Sequence, residues 1–175
     1  MRYVALLRGI NVGGHKIIKM DDLRKAFFSL GFSGVESYKQ SGNILFDTSE
    51  KDAPTLVALI KKKIKAAFGS DVEIFLHTVA QMKTVVAACP YKEKESATAK
   101  WYVTFFADGA SLDSFKFPLF SKNKDVEVVS VKGSVAYCIS RKIKGKSGYP
   151  NGLIESIFKT SATTRNWATV NAVSH

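Results

Sequence analysis

Cysteine and histidine are scarce in this chain, which has 2 cysteines and 3 histidines among its 175 residues. Cys89 and Cys138 are 49 positions apart, which favours two buried thiols over a disulfide or a redox pair. His15, His77 and His175 are scattered, and no H-E-x-x-H motif or Cys/His cluster offers metal-ligand spacing. We therefore predict no metal and no cofactor. A chain of this length buries enough surface to fold without them.

Long apolar runs are also missing. No segment approaches the roughly 18 consecutive apolar residues of a membrane-spanning helix. The short apolar run at the N-terminus is broken by Arg8 and is not followed by a small-residue cleavage site, so it does not have the pattern of a signal peptide. These two observations predict a cytoplasmic protein that does not associate with membranes.

Acidic residues are few relative to basic ones, with 15 Asp and Glu against 26 Lys and Arg and a formal net charge of +11. The excess is concentrated towards the end of the chain, because residues 131–175 contain 7 basic residues and 1 acidic residue. A basic surface attracts anions, including nucleic acid, because neutralised phosphates release their counterions. The same charge also favours solubility alone, and both interpretations remain open.

Hydrophobic periodicity predicts that residues 1–78 follow the order strand, helix, strand, strand, helix, strand. This order is that of a ferredoxin-like unit, in which a four-stranded antiparallel sheet carries both helices on one face. The predicted strands are 3–8, 35–40, 44–48 and 71–78, and the predicted helices begin near Asp21 and Pro54, the second with an apolar stripe of Leu56, Ile60, Ile64 and Ala67.

The segment 41–43 (Ser-Gly-Asn) has the composition of a tight turn between the second and third strands. Turn formation alone explains these residue types. We further expect this turn and Arg8 to lie at opposite ends of the sheet, so that Asn43 and Arg8 would not contact one ligand.

Residues 79–175 predict a second α+β subdomain, a βαββα-type unit with C-terminal helices. Thr78 and Gln81 have the spacing of a capping box, and the polar segment 91–100 is a candidate linker. The aromatic segment 101–106 predicts a strand that is covered on both faces. The further expected elements are a short helix near 112–117, a hairpin of 126–131 with 135–139, and a helix around 153–158.

The segment 163–167 (Thr-Thr-Arg-Asn-Trp) predicts a helix start, with a threonine as the N-cap. Capping and packing do not account for Arg165 and Asn166, which are therefore candidate ligand-binding residues. The basic segment 141–146 could contribute Arg141 to the same site, although such a run is also typical of a solvated loop.

The glycine-rich segment 8–19 leads from a strand into a helix and combines three glycines with Arg8, His15, Lys16 and Lys19. Glycines allow backbone N–H groups to point together at an anion, and a helix N-terminus favours negative charge. The segment lacks the spacing of a P-loop and of a dinucleotide-binding motif, and its glycines could serve only a tight turn.

We therefore interpret the chain as a binding module for a phosphate-bearing ligand or nucleic acid. No G-x-S-x-G motif or neighbouring Cys and His predicts a nucleophilic enzyme. Two alternatives remain: a small enzyme acting on an anionic metabolite in a groove between the subdomains, and a protein interaction module. The candidate ligand-binding residues are Arg8, Asn11, Gly13, Gly14, Lys16, Arg141, Arg165 and Asn166.

Three segments are more specific than this patterning: residues 5–14 (ALLRGINVGG), 38–46 (YKQSGNILF) and 163–170 (TTRNWATV). In order and spacing they closely resemble the bacterial family known as domain of unknown function 1697, over essentially the whole chain. The resemblance implies a two-subdomain α+β fold with one ferredoxin-like subdomain. It implies no established reaction, cofactor or catalytic residue.

Overall fold

A computed structural model describes residues 1–14, 17–92, 94–109 and 115–175. The chain divides into two compact units, the first formed by Met1–Lys83 with Ala172–His175 and the second by Thr84–Asn171. The predicted division of the chain into 1–78 and 79–175 stays a prediction. In the described part of the chain, no helix is long and apolar enough to cross a membrane.

The first unit has the ferredoxin-like fold that the sequence predicts. Its four-stranded antiparallel sheet has the strand order β2-β3-β1-β4. Its elements are β1 (Arg2–Leu7), α1 (Met20–Phe28), β2 (Ser33–Tyr38), β3 (Asn43–Asp47), α2 (Ala53–Phe68) and β4 (Ile74–Thr78), and they are followed by α3 (Val79–Ala87).

Both helices of this unit cover one face of the sheet. Alternate residues of β1 (Tyr3, Ala5 and Leu7) belong to the same buried core as the apolar stripes of α1 and α2. The stripe of α2 is confirmed at Leu56, Ile60 and Ile64, whereas Ala67 is exposed and the next residue, Phe68, packs against the core in the last turn of the helix. Val4 and Leu6, on the opposite face, are also fully buried, so β1 is a central strand covered on both sides.

Helices α2 and α3 begin with the caps that their sequences indicate. Asp52 caps α2, because its carboxylate Oδ2 accepts a 2.9 Å hydrogen bond from the N–H of Thr55. The predicted capping box of α3 is confirmed: the N–H of Gln81 donates to the hydroxyl of Thr78 at 3.1 Å, and the Thr78 N–H donates to Gln81 Oε1 at 2.7 Å.

The second unit contains the predicted hairpin and the helix after it, and the structure adds strands that the sequence pattern did not indicate. Its strands follow the order β10-β5-β8-β7-β6, with β9 paired to β8. The elements are β5 (Ala99–Phe106), β6 (Leu119–Phe120), β7 (Val126–Lys132), β8 (Val135–Ile143), β9 (Lys146–Ser147), α4 (Pro150–Phe158), β10 (Ala162–Asn166) and α5 (Trp167–Ala172).

The core of the second unit lies between its sheet and α4. Ile154 and Phe158 of α4 pack with Phe106, Val128 and other apolar residues of one sheet face. Residues 103–106 of β5 are all buried, so the predicted covering on both faces is confirmed for this part of the strand, whereas Trp101 and Tyr102 are half-buried. Of the short helix predicted near 112–117, residues 112–114 lie outside the described part of the chain, and 115–117 are not helical.

Candidate functional site

The segments 8–14 and 39–43 lie together at one end of the first sheet, which we call the motif end. Because β1 and β3 are antiparallel, the last residues of β1 pair with the first residues of β3, and Leu6 lies opposite Asn43. The N–H of Leu7 donates to the carbonyl of Gly42 at 2.8 Å. The expectation that the 41–43 turn and Arg8 lie at opposite ends is therefore wrong, since antiparallel pairing brings them to the same end.

Asn11 holds the motif end together. Its side-chain amide donates to the carbonyl of Ile18 at 2.9 Å and to that of Gln40 at 2.8 Å, while its oxygen accepts the N–H of Ile18 at 2.8 Å. The three bonds join the stretch before α1 to the turn after β2. Ile18 and Gln40 are the neighbours of Lys19 and Lys39, so Asn11 positions the backbone segments that carry these two lysines.

The backbone of the motif end is turned repeatedly into the left-handed region. Gly9, Asn11, Gly13 and Gly14 have φ values of 68°, 55°, 61° and 77°. A Cβ atom added at Gly9 or Gly14 would meet no atom within 4 Å, so both glycines border open space. Glycine permits these angles without strain, and here it also leaves the backbone accessible from outside.

The motif end carries exposed cations. The guanidinium of Arg8 lies 3.7 Å from Glu73, and the Arg8 side chain stays 41% exposed. Lys19 and Lys39 are exposed, and the Lys39 ammonium lies 5.3 Å from the centre of the Tyr38 ring. Lys16, a predicted ligand-binding residue, and its neighbour His15 lie outside the described residues.

Asn43 has a structural role, as the turn chemistry predicts. It is fully buried, and its amide donates to the Tyr38 carbonyl at 2.8 Å and to the Ser41 hydroxyl at 3.0 Å. These bonds close the turn from the inside and leave the outer surface of the turn to its other residues.

Arg165 and Asn166 occupy different environments in the second unit. Thr163, Thr164 and Arg165 lie in strand β10, which pairs with β5, and helix α5 begins only at Trp167. The predicted threonine cap is therefore wrong, because the β-branched threonines pair in the sheet. Asn166 forms the cap instead, since its side-chain oxygen accepts the N–H of Thr169 at 2.8 Å.

The Arg165 side chain is buried and 7% exposed. It donates to the Thr163 hydroxyl at 2.8 Å and to the Thr164 carbonyl at 2.9 Å. Burial lowers the pKa of its guanidinium to about 10, so the side chain stays cationic at neutral pH. The predicted role of Arg165 in ligand binding stays a prediction.

Arg141 lies on β8 beside a small cleft of about 180 Å³. Its guanidinium pairs with Glu127 on β7 at 3.0 Å. Tyr91 also lines the cleft, and its ring stacks on Trp101 with the centres 4.5 Å apart. The Tyr91 hydroxyl donates to the carbonyls of Tyr102 and Cys138, at 2.6 and 3.2 Å. The first residue of the candidate linker is thus packed within the second unit.

Metal-ligating groups and the buried Cys138 thiol are the features that bear on an enzyme activity. Among the described residues, no group of three or more His, Cys, Asp or Glu side chains could hold a metal ion. Burial raises the pKa of the Cys138 thiol to about 12, so this thiol stays protonated at neutral pH and is unsuited to act as a nucleophile.

The sequence interpretation missed Lys39 and Gln40 as parts of the motif end. Both residues come directly before the 41–43 turn. In an antiparallel pair, the end of one strand lies beside the start of the other, so this position could have indicated that they lie near the end of β1. Arg8 belongs to the first unit, whereas Arg141, Arg165 and Asn166 belong to the second. The predicted groove between the subdomains stays a prediction.

Comparison with known proteins gives a family and a fold. A family model described as "Protein of unknown function (DUF1697)" matches residues 1–137. A conserved bacterial protein of Streptococcus pneumoniae has a similar structure, with a TM-score of 0.73, 24% sequence identity, and coverage of 99% of this chain and 96% of that chain. No curated protein matches the chain in sequence. The family model covers most of the chain, so the protein belongs to the DUF1697 family, whose function is unknown.

Proposed function

We propose that the first unit binds a phosphate-bearing organic molecule at the motif end. The observation that carries the proposal is the convergence of the glycine-rich segment 8–14 and the turn 39–43 at one end of the sheet. This convergence places left-handed, accessible backbone next to exposed basic side chains. Successive backbone N–H groups in such conformations form concavities that bind anions.

The balance of charge at the motif end favours an anionic ligand. Arg8, Lys19 and Lys39 contribute three cations, and the guanidinium of Arg8 lies 3.7 Å from the carboxylate of Glu73. Charge-assisted hydrogen bonds from arginine to phosphate are among the stronger polar contacts in proteins. We therefore expect Arg8 to contact the phosphate.

Two exposed apolar side chains at the same end favour a ligand with an apolar part. Val12 is 63% exposed and Ile17 is 75% exposed. Covering large apolar side chains with an organic group is favourable by about 25 cal/mol per Å² of buried apolar surface. A nucleoside phosphate has both an anionic group and an organic part that can cover these side chains, whereas inorganic phosphate has only the anionic group.

Thermal shift and calorimetric titration with adenosine monophosphate, thymidine monophosphate and inorganic phosphate test this proposal. We expect a nucleoside monophosphate to raise the melting temperature and to bind more tightly than inorganic phosphate. Arg8→Gln combined with Lys39→Gln should weaken binding by about tenfold or more, because charged hydrogen bonds are worth about 1.5–3 kcal/mol each.

Lys62→Gln is the matched control, because Lys62 is an exposed lysine in the middle of α2. Combined with Lys65→Gln, it likewise removes two positive charges from the same unit, away from the motif end, and should leave binding unchanged. Equal affinity of the wild type and the Arg8→Gln/Lys39→Gln variant would show that the motif end does not bind the phosphate.

A cytoplasmic location is part of this proposal. Cys89 and Cys138 are both free thiols, and Cys138 is buried in the core. Free thiols are typical of a reducing compartment. Cell fractionation with an antibody to the chain tests the location, and recovery outside the cytoplasmic fraction would contradict it.

A further inference from the structure

The second unit carries a second basic surface, which borders one depression of about 470 Å³. One side is the β8–β9 hairpin, residues 142–147, which we call the hairpin arm. The other side is the turn between β6 and β7, residues 121–125, which we call the lysine turn. Both sides line the depression: Ile143, Lys144 and Lys146 from the arm, and Asn123 and Asp125 from the turn.

Positive charge predominates at this depression. The hairpin arm contributes three exposed lysines and the lysine turn contributes two. In the part of the chain that the structure describes, none of these five lysines forms an ion pair with a carboxylate. The five are Lys122, Lys124, Lys142, Lys144 and Lys146.

The acidic groups nearby are engaged with other partners. Asp125 accepts a hydrogen bond from the Ser121 hydroxyl at 2.7 Å. Glu127 is paired with Arg141 at 3.0 Å. Of the five lysines, Lys144 and Lys146 line the depression, and the other three flank it on the arm and the turn. Asp125 is the one carboxylate among the lining residues, and such an excess of positive charge attracts a polyanion.

The backbone holds the two sides of the depression in place. The arm turns tightly at Lys144 and Gly145, which both have positive φ values, and Ile143 pairs with Lys146 across the turn. The N–H of Arg141, at the base of the arm, donates to the carbonyl of Asp125 at 2.7 Å. The backbone segments that carry the lysines are therefore held beside each other.

An exposed and rigid aromatic ring follows the arm. Tyr149 is 57% exposed, yet its hydroxyl donates to the Thr164 carbonyl at 3.1 Å and its ring contacts the ring of Tyr102 edge-on at 5.6 Å. Gly148 connects the arm to this ring, and its carbonyl accepts the Ser140 hydroxyl at 2.6 Å. Tyr149 comes two positions after the last residue of the arm, and basic side chains combined with an exposed aromatic ring are what binds single-stranded nucleic acids.

We propose that the hairpin arm, the lysine turn and Tyr149 bind single-stranded nucleic acid, with the lysines on its phosphates and the tyrosine ring stacked on a base. An anionic membrane surface is less suitable, because Ile143 is the only large apolar side chain among the five residues lining the depression. This site is in the second unit and does not depend on the motif end of the first.

Fluorescence anisotropy with a labelled 20-nucleotide oligothymidylate, titrated at several salt concentrations, tests the proposal. Lys144→Gln combined with Lys146→Gln should weaken binding by about tenfold or more at low salt. It should also reduce the slope of log K against log salt by about 1.4, because each single-strand phosphate contact contributes about 0.7. Lys122→Gln with Lys124→Gln is a second variant, in case the first does not fold.

The matched control is Lys62→Gln combined with Lys65→Gln, which removes the same charge from two exposed lysines of α2. We expect it to leave the salt slope unchanged. An equal loss in this control would overturn the proposal, because net charge alone would then explain binding. Binding to phosphatidylserine vesicles without binding to the oligonucleotide would also overturn it, as would no binding at low salt.

Tyr149→Leu tests stacking separately from charge. It should weaken oligonucleotide binding by roughly 5- to 150-fold without changing the salt slope, since stacking on one base is worth about 1–3 kcal/mol. Tyr149→Phe keeps the ring and should restore most of the affinity. Wild-type affinity of Tyr149→Leu would show that no base stacks on this ring.

Discussion

Gly42 is the residue at which the segments 5–14 and 38–46 meet. It has a φ of 73°, and a Cβ added there would lie 2.7 Å from the Ile10 side chain and 2.9 Å from the Cβ of Leu7. Glycine is required at this position twice, first by the backbone conformation and second by the close approach of the loop after β1. The packing of the motif end therefore requires a residue without a side chain at position 42.

Gly42→Ala should destabilise the protein by about 2–4 kcal/mol, because left-handed strain and overpacking each cost about 1–3 kcal/mol. Urea denaturation followed by circular dichroism measures the change. Gly69→Ala is the control, since Gly69 has a similar φ of 65° but nothing within 4 Å of the added Cβ. An equal loss in both variants would show that the contact with Ile10 and Leu7 adds nothing.

At the scale of elements, the caps decide where helices begin. α2 has Asp52 as its N-cap and a proline in its first turn, and both features are visible in the sequence. Hydrogen bonds from Thr55 lower the pKa of the Asp52 carboxyl from its ordinary value of 3.8. A lowered pKa in the folded state means that the ionised cap stabilises the protein above pH 3.8 and loses this effect as the pH falls.

Asp52→Asn should therefore lower the melting temperature near neutral pH and approach the wild type as the pH falls below about 4. Asn still caps the helix, but it carries no charge for the helix dipole. Melting curves from pH 2.5 to pH 7 measure the difference, and Asp52→Ser serves as a second neutral cap. A constant difference between the wild type and Asp52→Asn across this range would contradict the assignment.

The segment 162–170 shows how an element can be misread. Two threonines before a periodic apolar segment predict a helix cap, yet Thr163 and Thr164 are buried in strand β10. The Thr164 hydroxyl lies 2.8 Å from that of Thr104 on β5. Threonine is common both in helix caps and in strands, so residue type does not distinguish the two. Pairing with β5, about 60 residues earlier in the chain, makes this segment a strand.

At the scale of the whole molecule, the last residues of the chain belong to the first unit although they directly follow the second. Val173 is fully buried. Both tryptophans, Trp101 and Trp167, lie in the second unit. Circular dichroism therefore observes both units, whereas tryptophan fluorescence observes the second.

Val173→Ala should destabilise the protein by about 2 kcal/mol, from the loss of two buried carbon atoms and the cavity that they leave. The change should lower the urea midpoint measured by circular dichroism, and comparison with tryptophan fluorescence shows whether the second unit responds too. His175→Ala, at an exposed neighbouring position, is the control. An unchanged midpoint by circular dichroism would show that Val173 contributes no packing energy.

The local features of this protein follow from its amino-acid sequence. Periodicity predicted the helices and the ferredoxin-like order of the first unit, and residue types predicted the capping box of Thr78 with Gln81 and the turn closed by Asn43. These features depend on residues a few positions apart, whose geometry the backbone dictates directly.

Which distant segments meet depends on the folded chain as a whole. Antiparallel pairing brought Gly42 next to Leu7, and Asn11 to Gln40. The pairing of β10 with β5 turned a predicted helix start into a strand, and the β8–β9 hairpin placed Lys146 opposite the lysine turn. Such contacts join residues tens of positions apart, and no local propensity encodes them, because their free energy comes from burial and pairing in the folded chain.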